Sequence, residues 1–264
     1  MRLPRTGALV DTLRLASGLA LFLFALTHFL NHALGIWSLE AMATAQGWRL
    51  AVTRSWPGAA VLAMALVIHL GLALWRIARL KTWRLPAASL WLLVTGGLIS
   101  ILVMPHFWSA GIGPRVAGAR LSYAGGLSLI WPNAMVLQSA LMVLVWGHGC
   151  LGLHAWLKSE PWWRRGSHVL AALAALVPAA ALAGVVVAGR QIERLTAIQP
   201  IPLPYSQAVG LVWVARAAEA ERISLALIAL AFAVAFTSWL LARRRRLLAI
   251  SYLPGPKEIG RAHV

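Results

Sequence analysis

The 264-residue chain is 60% hydrophobic and 12% charged with a mean hydropathy of +0.76, which excludes a water-soluble globular domain and points to an all-α polytopic membrane protein. Its net charge of +17 is carried by short arginine clusters between apolar runs and not by one basic face. No nucleic-acid partner is therefore expected, and the basic residues read as topology signals at lipid headgroups. One cysteine, Cys150, and seven acidic residues exclude an internal disulfide framework, a cysteine-ligated cluster and a carboxylate-lined ion path.

In chain order, six apolar stretches reach bilayer length: 13–37, 57–75, 86–108, 132–156, 169–188 and 223–241. Several open at proline and close at tryptophan, the residues that suit a first helical turn and a membrane interface. The first run is a full span without a small-residue cleavage site, so it reads as a helix and not as a signal peptide. Fourteen Lys and Arg fall on the side of the N-terminus and of the loops after the second and fourth spans, against eight in the longer opposite segments. This bias predicts a multi-pass membrane protein with both termini cytoplasmic. Segments 38–56, 109–131 and 189–222 are expected as loops over the outer end, and no internal repeat at a fixed period is evident.

Residues 1–248 form the expected membrane domain, and 249–257 read as the opening of a soluble domain that continues beyond the sequence. Residues 258–264 look like the translation of a sequencing adapter, which sets His263 aside.

Six of the remaining seven histidines lie in or at the ends of the first four spans, where ionisable groups are rare and costly. His28 and His32, four residues apart, stack on one helix face. At 1.5 Å rise per residue, His69 and His148 each lie roughly 9 Å from the cytoplasmic edge, while His28, His32 and His106 fall in the outer half. Two histidines at one depth on facing helices are what bis-imidazole ligation of a b-type haem requires, so the expectation is a four-helix core holding two haems. By depth, His69 and His148 could ligate one iron, and His106 with either His28 or His32 a second. His148 and His154 lie about 240° apart around their helix, so they cannot share one iron. Arg115 and Arg120, with Arg76 and Arg79, are candidates to pair with haem propionates. His168 reads as an interfacial residue and Cys150 as packing.

The stretch Thr27-His28-Phe29-Leu30-Asn31-His32-Ala33-Leu34-Gly35, the triplet Met104-Pro105-His106, and Trp146-Gly147-His148-Gly149-Cys150-Leu151-Gly152-Leu153-His154-Ala155-Trp156-Leu157 followed by Pro161-Trp162-Trp163 resemble a known family. It is the six-helix anchor of certain bacterial class III adenylate cyclases, itself similar to the dihaem cytochrome b of succinate dehydrogenase and fumarate reductase. The resemblance implies a quinone-responsive redox sensor, a ferredoxin and a cyclase downstream of this chain, and a homodimer formed through the cyclase. It carries His28, His69, His106 and His148 over as the preferred metal (axial) ligands, with His32 and His154 as alternates. The alternative is a cytochrome b subunit that passes electrons between quinone and a dehydrogenase.

Overall fold

A computed structural model describes residues 6–80, 82, 84–108, 122–198 and 207–251. Among these the protein is helical, with no strand. Six helices carry spans: α1 (Thr6–Ala33, prolonged by a 3-10 turn, Leu34–Ile36), α3 (Trp56–Ala78), α4 (Ala87–His106), α6 (Met135–Leu157), α8 (Ser167–Ile198) and α9 (Gln207–Ser251). The short helices α2 (Leu39–Thr53), α5 (Tyr123–Ile130) and α7 (Pro161–Arg165) fill the connections.

The helix starts follow from local chemistry. Ser38, Ser55 and Ser122 each accept a hydrogen bond from the backbone N–H three residues on, supplying a partner to an otherwise unpaired first-turn donor, and Pro57 and Pro161 sit in first turns where no N–H is needed. The spans bury few of their own residues, and Leu23, Val67, Trp91, Val143, Leu173 and Leu230 are exposed apolar side chains of the kind that face lipid.

The six expected spans are present, but the connections are more ordered than expected. α2 and α5 occupy parts of 38–56 and 109–131 that read as loop, because each has a serine cap and buries its own residues: Met42 from α2, and Tyr123 and Leu127 from α5. α8 runs to Ile198, beyond the expected end at 188, and α9 begins at Gln207. α9 also continues through Ser251, so 249–251, expected to open a soluble domain, are helical. The rest of that segment and 258–264 lie outside the described residues.

The bundle divides into two corresponding halves. α1 packs on α3 and α4 on α6; α8 then lies against α1 and α6, and α9 against α3 and α4. Ser17, Gly18, His28 and Phe29 of α1 are matched at one constant offset of 78 by Thr95, Gly96 and His106 of α4 and by Phe107, which follows it. Trp56-Pro57, Ala59, Val61-Leu62 and Ala65-Leu66 recur as Trp131-Pro132, Ala134, Val136-Leu137 and Ala140-Leu141, and His69 is matched by His148. The two halves thus correspond without a fixed period, as expected: the offset is 78 for the first helix of each half, 75 at the start of the second and 79 at its histidine. α6 carries four more residues than α3 between the shared Ala-Leu and the histidine. That extra turn keeps the histidine on the same face.

Two contacts hold α8 in place. Gly35, just after α1, and Gly184 of α8 meet backbone to backbone, with no room for a Cβ at either. Pro178 cannot donate to the carbonyl of Ala174 one turn earlier, and the Trp146 indole N–H of α6 fills that vacancy at 2.7 Å. Gly184→Ala is expected to cost about 1–3 kcal/mol, because only backbone could yield. Gly47→Ala, in open space on α2, is expected to gain up to about 1 kcal/mol. Thermal unfolding in detergent of the two variants beside the parent checks the contrast.

Candidate functional site

The helix pairing brings four of the expected histidines into two sets. His69 of α3 faces His148 of α6 with ring centroids 6.2 Å apart and planes at 80°. His28 of α1 faces His106 of α4 at 6.0 Å and 53°. Each set therefore takes one residue from each half of the bundle. The rings are walled by glycine: a Cβ at Gly18 would lie 3.2 Å from His69 and one at Gly96 would lie 3.3 Å from His148, tighter than ordinary contact.

The imidazoles differ in what holds them. The Nδ1 of His148 lies 3.0 Å from the Thr95 hydroxyl, and the Nδ1 of His69 lies 3.4 Å from the Ser17 hydroxyl. His32 is hydrogen-bonded through Nδ1 to the Tyr123 hydroxyl of α5, and its ring lies 4.4 Å from that of His28. The Nδ1 atoms of His28 and His106 are buried without a hydrogen-bond partner, although Gln138 of α6 approaches the His106 ring. A buried polar atom left bare costs free energy, so this is the place in the bundle where a further group is most needed.

The other candidates lie apart. His154 is exposed and accepts a hydrogen bond from the Trp163 indole at 3.1 Å, away from both sets. His168 is exposed at the start of α8, and Cys150 packs beside Trp146 and Phe29. Arg79 stacks on Trp75 with its guanidinium 4.7 Å from the ring centre, and Arg76 is exposed nearby. Arg115 and Arg120 lie outside the described residues.

Four residues were not singled out by sequence pattern: Ser17, Thr95, Tyr123 and Arg49. Asn31 of α1, 3% exposed, donates to the Met42 carbonyl at 3.2 Å and folds α2 back over this end of the bundle. That carries Arg49 inward, its guanidinium 5.7 Å from the Phe24 ring centre and its Nε buried without a hydrogen bond. Burial, with the nearby charge of Arg54, holds the Arg49 pKa below the usual range, and burial raises that of the Tyr123 phenol. Among the described residues Arg49 has no carboxylate partner. The one available signal was an arginine within an amphipathic connection beside the His28-to-His32 turn.

No protein-family model, curated protein or solved structure matches this chain.

Tyr123→Phe removes the only described partner of His32 Nδ1 and leaves a buried imidazole nitrogen bare. A loss of about 1–3 kcal/mol is expected, read as a lowered midpoint in denaturant titration of the detergent-solubilised protein. An unchanged midpoint would mean that the phenol does not satisfy His32.

Proposed function

We propose that this chain is a membrane domain holding two b-type haems, His69 and His148 ligating one and His28 and His106 the other, and that it acts as a redox-sensing anchor. The observation that carries the reading is the pairing of histidines from opposite halves of the bundle at two separations of nearly one value. His69 with His148, and His28 with His106, are the residues that would hold one haem iron each.

The donor set suits this group. Among the described residues no three His, Cys, Asp or Glu side chains gather to hold an ion alone, whereas a haem would bring nitrogen ligands of its own and would ask only two histidines of the protein. Gly18 and Gly96 supply close-approach surfaces beside the His69 and His148 rings. Arg49 is a further cation for a carboxylate at that end, beside the sequence candidates Arg115 and Arg120.

Bound haem would supply one-electron chemistry, and the protein sets its potential through burial and through what each imidazole Nδ1 touches. Exchange with membrane quinone, attachment to a cyclase beyond residue 257, and termini in the bacterial cytoplasm belong to the same proposal. They rest on the motif resemblance and on the charge bias.

Expressed in a haem-competent host, the protein is expected to give a b-type reduced-minus-oxidised spectrum with two haems per chain. His69→Ala or His148→Ala should leave one haem, and so should His28→Ala or His106→Ala. A purified parent without haem, or variants that all retain two, would overturn the assignment.

A further inference from the structure

We propose that Ser17 and Thr95 are matched positioning residues that fix the tautomer of His69 and His148 and leave the Nε2 of each as a bare lone pair for a metal. The inference rests on the haem reading for its purpose, but its chemistry lies in this chain. A hydroxyl has one proton to give. Thr95 Oγ1 spends that proton on the Trp91 carbonyl at 2.7 Å, one turn back on α4, so toward His148 Nδ1 at 3.0 Å it can only accept. Ser17 Oγ spends its proton on the Arg14 carbonyl at 3.1 Å and can only accept from His69 Nδ1 at 3.4 Å. In both rings the N–H then sits on Nδ1. A neutral imidazole carries one N–H, so Nε2 is unprotonated in both.

The arrangement occurs twice. Ser17-Gly18 and Thr95-Gly96 hold the same position in the two halves, and each hydroxyl acts on the histidine of its own half, 52 and 53 residues downstream. In each case the neighbouring glycine lets helix backbone approach the ring edge. Ser17 is 5% and Thr95 9% exposed, so water does not compete for these contacts. A hydroxyl accepting from Nδ1–H also raises the basicity of the ligating nitrogen, which favours the oxidised metal.

The test uses the full chain in detergent, loaded with haem. Thr95→Val keeps the shape and removes the acceptor, as does Ser17→Ala. Each is expected to move the midpoint potential of one haem in the positive direction and leave the other where it was. The shift should be larger for Thr95→Val, whose contact is shorter, and Thr95→Ser should restore the parent value. Two unmoved potentials in Thr95→Val, or two that move together, would overturn the proposal. A haem-free measurement separates this inference from the reading beneath it. In ¹⁵N-histidine-labelled protein before loading, with signals assigned by their loss in His69→Ala and His148→Ala, both rings should carry the proton on Nδ1. A proton on Nε2 would overturn the proposal whether or not haem binds. Nδ1–H rings in a protein that takes up no haem would sustain the tautomer assignment and remove the haem reading.

Discussion

Everything in this bundle is arranged around the cost of placing imidazoles inside helices that cross a membrane. An unpaired polar group in hydrocarbon costs several times what the same group costs at a wet surface, so each histidine must be given something to hold. The chain meets this requirement at His69 and His148 with hydroxyls already satisfied by their own helix, and at His32 with a tyrosine brought over by α5, while His28 and His106 keep a bare Nδ1. The same cost explains why α2 and α5 are ordered. They form the roof over the polar end of α1, where Asn31, His32 and Tyr123 meet.

Apolar packing does the complementary work. α8 locks onto α1 through a glycine-to-glycine backbone contact, and onto α6 through an indole that occupies the carbonyl freed by Pro178. Neither contact depends on water being expelled. In lipid, close backbone approach and satisfied hydrogen bonds hold helices together, because the solvent is as apolar as the side chains.

The six spans were legible because long apolar windows are nearly unambiguous, and the two histidine levels because helical rise converts position into depth. His28 and His106, like His69 and His148, could thus be placed together before any fold was in hand. The order in 39–53 and 123–130 was not legible: these stretches are short, and their apolar residues point at a partner that only the assembled bundle provides. The correspondence was hidden by a connection three residues shorter in the second half and by one extra helical turn in α6, which together defeat a search at fixed period. Ser17 and Thr95 were hidden for a different reason. A lone hydroxyl in an apolar helix ordinarily bonds its own preceding turn, as both do here, and nothing in the sequence says that an imidazole waits on its other side.

The duplication has a mechanical side. Since His28 and His69 belong to one half and His106 and His148 to the other, the seam between the halves crosses both histidine pairs. Sliding one half against the other stretches both gaps at once, whereas tilting a single helix within a half disturbs only one. The two levels thus share a hinge line, and α8 and α9, each laid across that seam, are the splints that keep it from shearing.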